Sequence, residues 1–258
     1  MAFRWLTVFL DFPADDFDAG VAFWREATGS GLSPFRGTAG EFATLLPSAG
    51  DAYLRVQRVM DGGGGHHLDL HVDPADGTLE DAAALAVSLG ARVRDREDEE
   101  VIVVDSPGGF TFCLVRWDGE TAVPAPSRMD GAGASRADQL CLDIPPAVFE
   151  RERSFWAALT GWEARSGSRP EFSYLRRPAG MPVCLLLQRR DSTAADDRVT
   201  AHVDFACARR DQVADLHVAR GARVAGTFPF WTVMADPTGR RYCLTGRDPE
   251  TGRAPTQA

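Results

Sequence analysis

Two short stretches carry the residue types best suited to chemistry. The first is His66-His67-Leu68-Asp69-Leu70-His71-Val72, and the second is Ala201-His202-Val203-Asp204-Phe205-Ala206-Cys207. Each reads His, apolar, Asp, apolar, with the two-residue period of a strand half covered by a core. Successive strand side chains point to opposite faces. His67 and Asp69, with His71, therefore share one face, opposite Leu68, Leu70 and Val72. His202 and Asp204 share another, opposite Val203 and Phe205. An imidazole titrates near pH ~6.5, so a His–Asp pair aimed away from the core can act as a polar anchor, an acid–base couple or part of a metal site. It also has a plainer use, in which each imidazole bonds its carboxylate or a backbone carbonyl and orders the strand. The sequence leaves these uses open.

The remaining pattern supplies the elements that must hold these strands. A strand over Trp5 to Asp11 ends at Pro13, and Ala14-Asp15-Asp16 offers helix caps. Apolar residues at helical spacing follow through Val21 to Ala27, and Gly29 and Gly31 stop the helix. Strands are expected over Glu41–Pro47 and Tyr53–Val59. The glycines Gly62 to Gly65 connect to the His67 strand. A helix from about Thr78 to Leu89, a solvated acidic loop from Arg94 to Glu100, and strands Val101–Val104 and Phe110–Arg116 complete the first half. Asp118 to Ala134, rich in Pro, Gly, Ala and Ser, reads as a linker.

After the linker the pattern restarts. Phe23-Trp24 returns as Phe155-Trp156, Thr28-Gly29 as Thr160-Gly161, and His67 as His202. Gly90-Ala91-Arg92-Val93 returns as Gly221-Ala222-Arg223-Val224, Asp105-x-x-Gly108 as Asp236-x-x-Gly239, and Phe112-Cys113-Leu114 as Tyr242-Cys243-Leu244. Landmarks in one order argue for tandem duplication. The predicted layout is a first module over 1–120, a linker over 121–134, a second module over 135–247 and a polar tail over 248–258. Within each half the strand–helix–strands order occurs twice, giving a βαβββ unit used four times.

Composition narrows the function classes. The 258 residues are 44% hydrophobic and 25% charged, with a net charge of −9. An acidic chain lacks the basic face a general nucleic-acid binder needs. No run approaches the ~18 apolar residues of a membrane span, and Met1 to Leu10 lacks a signal-like apolar core. The five cysteines, Cys113, Cys141, Cys184, Cys207 and Cys243, sit in apolar runs without a C-x-x-C pair and read as small core residues in a reducing compartment. The expected location is cytoplasmic.

On Phe23-Trp24-x-x-x-Thr28-Gly29, His67-x-Asp69, Leu89-Gly90-Ala91-Arg92-Val93 and the Asp105 to Leu114 ending, the chain resembles the vicinal-oxygen-chelate superfamily of glyoxalases, bleomycin-resistance proteins and dioxygenases. The second half matches through Phe155 to Trp162, His202-x-Asp204 and Asp236 to Leu244. The resemblance covers both halves and is closest to the glyoxalase-like subgroup. It implies an α+β fold of two tandem modules, each of two βαβββ units in a cupped mixed sheet with helices on the outer face. Enzymatic members hold a divalent metal in the cup. Carried over by the resemblance, the ligand positions fall on Thr7, His67 and Thr111 in the first half and on Gln139, His202 and Arg241 in the second.

Those residue types fit a metal poorly. A catalytic site uses about three protein ligands, and threonine serves a borderline ion badly. Two unit charges ~4 Å apart interact by about 4 kcal/mol at an effective dielectric of ~20, so Arg241 would repel a dication by roughly twice that. The expectation is a small-molecule-binding protein, without cofactor, taking a partly apolar or aromatic ligand. The candidate ligand-binding residues are His67, Asp69, His202, Asp204, Trp231, Gln139 and Arg241. The alternative is a divalent-metal lyase, isomerase or dioxygenase using His67, His202 and Gln139. Enzymatic activity is left open. Trp231 is read as facing the site, with Val233 and Ala235, rather than Phe230. His66 is expected to be solvated and His217, on a helix from about Asp211 to Arg220, to lie at the surface. Phe23, Trp24, Phe155 and Trp156 are read as core. Arg176-Arg177 and Arg189-Arg190 are read as surface arginines. The small molecule is the only partner expected, with no nucleic acid or membrane, and the chain is expected to be a monomer or weak homodimer.

Overall fold

A computed structural model describes residues 2–60, 62–97, 100–129, 131–167, 169–191 and 198–254. The first βαβββ motif is β1 (Phe3–Pro13), α1 (Phe17–Thr28), β2 (Gly31–Leu32), β3 (Phe42–Leu46) and β4 (Leu54–Val59). The second is β5 (Gly65–Val72), α2 (Leu79–Ser88), β6 (Arg92–Glu97), β7 (Val101–Asp105) and β8 (Thr111–Arg116). A short β9 (Ser127–Met129) precedes the third, β10 (Gly133–Ile144), α3 (Phe149–Thr160), β11 (Glu163–Ser166), β12 (Phe172–Arg176) and β13 (Cys184–Arg189). The fourth is β14 (Thr200–Cys207), α4 (Arg210–Ala219), β15 (Arg223–Thr227), β16 (Trp231–Ala235) and β17 (Arg241–Thr245). The fold is α+β, with two mixed sheets. Their strand orders are β2-β3-β4-β1-β5-β8-β7-β6 and β11-β12-β13-β10-β14-β17-β16-β15, with β9 paired to β10.

Local chemistry explains the element ends. Gly29 closes α1 in the left-handed region at φ 63°, its N–H bonding the carbonyls of Arg25 and Glu26. At α2, Thr78 and Asp81 form a reciprocal capping box. Asp16 does stand at the N-cap of α1, but its side chain makes no cap bond there. No helix among the described residues is long and apolar enough to cross a membrane.

Three expectations about the strands and connections change. The run read as a solvated acidic loop is strand over Arg94 to Glu97, part of β6, antiparallel to β7 with Val93 opposite Val104. Its charged side chains are mostly exposed, as suits an edge strand, and tertiary pairing rather than alternation makes it a strand. Asp98 and Glu99 of that run lie outside the described residues, as do the last four residues of the expected tail. The stretch read as linker carries β9 and the start of β10, paired through Gly133 and Met129. The His strands are buried on both faces over their second half, Leu68 to Val72 and Val203 to Cys207. Parallel pairing with an inner neighbour buries both sides, so the half-covered pattern read from alternation does not hold there.

By compactness the chain forms two units. The first comprises Met1–Phe9, Gly65–Val123 and Leu140–Ala201. Its aromatic core joins Phe110, Phe112, Phe155 and Trp156, with Phe112 and Trp156 rings 5.2 Å apart. Glu152, 0% exposed, ties α3 to the turn after β7. It accepts hydrogen bonds from Ser106 Oγ at 2.8 Å, from Trp156 Nε1 at 2.8 Å and from the N–H of Gly108. Burial nonetheless raises its pKa, outweighing those bonds.

The second unit comprises Leu10–Gly64, Pro124–Gln139 and His202–Ala258. Here Trp24 Nε1 donates to Asp236 at 2.8 Å, and Asp236 also accepts from Thr238 N–H, Thr238 Oγ and Arg240 N–H. His217, expected at the surface, is 0% exposed. It packs among Phe23, Phe205 and Tyr242, and its Nδ1 lies 2.9 Å from the Tyr242 hydroxyl. Burial lowers its pKa to about 4. A bidentate pair joins Arg247 to buried Asp138 at 2.7 and 3.0 Å.

Candidate functional site

The site is built by β5 and β8 in the first unit. Their parallel register sets Asp69 opposite Cys113 and Leu70 opposite Leu114. His67, two residues before Asp69, shares its face, and His67 Nε2 lies 3.8 Å from Asp69 Oδ1. The His67 nitrogen, the Asp69 carboxylate and the Cys113 sulfur all lie within 4.8 Å of one another. Asp69 and Cys113 are buried and His67 is half-buried. Phe9 stacks on the His67 ring at 4.2 Å and 17°.

In the second unit β14 and β17 repeat the arrangement. Asp204 stands opposite Cys243 and Phe205 opposite Leu244. His202 Nε2 lies 3.3 Å from Asp204 Oδ1, and with Cys243 these groups again fall within 4.8 Å. Asp204 Oδ1 is buried and receives no hydrogen bond among the described residues. On the neighbouring β16, Val233 faces Cys243 and Trp231 faces Thr245. Cross-strand partners share a face, so Trp231, Val233 and Ala235 line the face of Cys243. Trp231 is half-exposed and stacks on Phe228 at 4.9 Å.

The cysteines are the functional candidates the sequence reading passed over. All five are free thiols. Cys113 and Cys243 stand beside the His–Asp pairs, where the resemblance had directed attention to Thr111 and Arg241. Thr111 Oγ instead bonds Asp105 at 3.1 Å, and Arg241 is exposed at the start of β17. Thr7 is fully buried and its hydroxyl lies 2.9 Å from His71 Nε2. That contact sets Thr7 beside His71 and gives His71 a structural place. On its other side His71 Nδ1 stands 3.6 Å from Glu120, and it is the main cause of the Glu120 carboxyl falling to about 2. Gln139 is half-buried on β10. His66, expected in solvent, is half-buried, with both ring nitrogens shielded.

The donor sets can be tested against a divalent ion. Four-coordinate zinc, with N and O donors at about 2.0 Å and S at about 2.3 Å, places its ligand atoms roughly 3.3–3.6 Å apart. Contraction by at most about 1.5 Å would bring each His–Asp–Cys set to that spacing. One imidazole, one carboxylate and one thiol suit a borderline ion such as zinc better than manganese or magnesium. On donor type and spacing the residues fit.

Comparison with known proteins places this geometry in context. The glyoxalase-like domain family matches the chain over residues 7–115 and 139–245. No curated protein sequence matches it significantly. Among solved structures, the Mn(II)-bound glyoxalase from Novosphingobium aromaticivorans is 16% identical with a TM-score of 0.64, over 95% of this chain and 81% of that one. The 2,2′,3-trihydroxybiphenyl 1,2-dioxygenase of Sphingomonas wittichii strain RW1 is 14% identical with a TM-score of 0.65, over 95% and 90%. A catechol 2,3-dioxygenase is 16% identical with a TM-score of 0.60, over 100% and 91%. At such identities the likeness is one of fold.

Proposed function

Because the chain belongs to the glyoxalase-like domain family, within the vicinal-oxygen-chelate superfamily, we propose that it binds a small, partly apolar or aromatic molecule against its two His–Asp–Cys faces. The supporting observation is the shared register, Asp69 opposite Cys113 and Asp204 opposite Cys243, each beside a half-buried imidazole. Each imidazole lies beside a buried carboxylate, and its partly exposed ring is of the type that bonds a ligand hydroxyl or carbonyl. Phe9 in one unit and Trp231 in the other supply apolar surface. Catechol is a reasonable probe, since a catechol dioxygenase shares the fold. Saturable binding should weaken about tenfold in His67→Ala or His202→Ala, the loss expected for one strong hydrogen bond. A loss in one variant alone identifies an idle face. Binding unchanged in both would sink the reading.

A second reading is favoured by one specific observation, the completion of each pair by a thiol into a three-donor set. In it His67, Asp69 and Cys113, and His202, Asp204 and Cys243, each hold a divalent ion. Such an ion would polarise a ligand oxygen or acidify a bound water. Asp204 Oδ1, buried and without a hydrogen bond among the described residues, favours a cation there. Reconstitution with zinc followed by elemental analysis should then give two ions per chain, falling by one in Cys113→Ser or Cys243→Ser. No stoichiometric zinc, manganese or iron after reconstitution would exclude it.

A further inference from the structure

A cavity of about 50 Å³ lies within the second unit, away from the His–Asp–Cys face. Phe205 lines it, and Phe205 points to the opposite side of β14 from Asp204. Its other walls come from the end of α1, the β3–β4 connection, the segment before β9, and Ser135 to Ala137 of β10. None of the residues that line it is an aspartate or glutamate, and its single formal charge is Arg136.

Two of its polar groups are buried without use. Ser135 is 1% exposed and Arg136 is 8% exposed, and neither Ser135 Oγ nor Arg136 Nε has a hydrogen-bond partner among the described residues. The other guanidinium nitrogens make long bonds to backbone oxygens, 3.4 Å to Pro124 and 3.2 Å to Glu250. Buried donors of this kind are costly unless something completes them. Neighbouring acids leave the site open. Asp138 is occupied by Arg247, and Asp248, which feels the Arg136 charge, is engaged with the Thr251 and Glu250 backbone.

We propose that this cavity is a binding site for a small oxyanion, a phosphate or a carboxylate group, held by Arg136 and Ser135 with the hydroxyls of Ser30, Ser48 and Ser127 at its wall. Size supports this class of ligand. A buried water needs roughly 10–15 Å³ measured in this way, so the space suits about three to five water-sized groups, the size of a small oxyanion. Charge supports it as well. The C-terminal end of α1 is mildly unfavourable to an anion, but the N–H groups of Gly29 and Ser30 already satisfy carbonyls of its last turn. A charge-assisted bond from a guanidinium is about twice as strong as a neutral one. Gly29 belongs to the same construction, since a Cβ there would stand 2.2 Å from Ser127 Oγ. Only glycine, at positive φ, lets that hydroxyl lie against the chain.

The test is calorimetric titration of the whole chain with sodium phosphate and, separately, sodium acetate, at ionic strength held constant with chloride. Saturable one-to-one binding is expected for at least one. Phosphate alone assigns a phosphoryl ligand, acetate alone a carboxylate, and both the shared oxyanion chemistry. Arg136→Lys, which keeps the charge but loses the planar fork, should weaken binding about tenfold. Ser135→Ala should weaken it several-fold while leaving the melting temperature of the anion-free protein unchanged or higher, because it removes an unpaired buried hydroxyl. Arg128→Ala, at an exposed arginine of the same segment, should change nothing. The proposal is overturned if neither anion binds, or if Ser135→Ala binds as the parent does.

Discussion

The two copies of one turn are anchored by carboxylates supplied from different elements. In the second unit the turn acid Asp236 does the work itself, gathering Trp24 of α1, its own backbone and Arg240 N–H. In the first unit the corresponding Asp105 turns outward to Arg92 and Arg94, arginines with side chains 79% and 43% exposed. The inner role passes to Glu152, a carboxylate on the helix rather than the turn. The Trp is kept in both places and needs an acceptor for its N–H in both. What the chain retained is the bond to the indole, and the residue supplying it was free to move.

This contrast predicts unequal costs. Asp236→Ala should destabilise the protein by about 3–5 kcal/mol in urea denaturation, because it strands the buried indole N–H and several turn donors together. An effect near 1 kcal/mol would mean the turn is held by its backbone alone. Next in size is the pH dependence of His217. The unfolded imidazole takes a proton near 6.5 and the folded one only near about 4, so between these values the unfolded chain holds more protons. Stability contributed by neutral His217 is thus present above pH 6.5 and lost as pH falls toward 4, a span worth roughly 3 kcal/mol. His217→Phe should flatten that acid limb, while stranding the Tyr242 hydroxyl at about 1–3 kcal/mol at neutral pH.

Glu152 should respond in the opposite sense. Its folded pKa is raised above the ordinary 4.5, so the unfolded chain loses its proton first. The contribution of Glu152 is complete below that value and declines as pH rises through the raised one. Glu152→Gln should remove this decline at a cost of about 1 kcal/mol for the bond it weakens. A decline that persists in the variant would assign it to another group. Smallest is Asp105→Ala, at about 1 kcal/mol, since its charged partners are exposed, solvent-screened arginines and its one further side-chain bond is from Thr111 Oγ. Equal losses from Asp105→Ala and Asp236→Ala would erase the contrast.

Much of this was legible in the residues. The repeated landmarks and the two-residue alternation gave four βαβββ motifs and located the His strands, because those signals are local. The cysteines were visible as repeats, Phe-Cys-Leu and Tyr-Cys-Leu, but not as neighbours of Asp69 and Asp204. That depends on a parallel register between strands separated by a helix and two further strands, which no local pattern encodes. His217 carried a signal that was overlooked. It lies four residues after Val213, on the same helical face, and Val213 is buried. The oxyanion cavity was illegible because Ser135 and Arg136 read as ordinary polar residues until the segment before β9 and the end of α1 close around them.

The interleaved segments also order events during synthesis. Everything the first unit contains has been made once Ala201 has been added, whereas the second unit still lacks residues 202–258. Its bond from Trp24 to Asp236 spans 212 positions of chain. Helix α1 therefore lacks its contacts with Phe205, His217, Asp236 and Tyr242 until the last motif is made. A released chain ending at residue 201 should leave Trp24 and Phe23 open to chaperones, although it contains every residue of the Glu152 core.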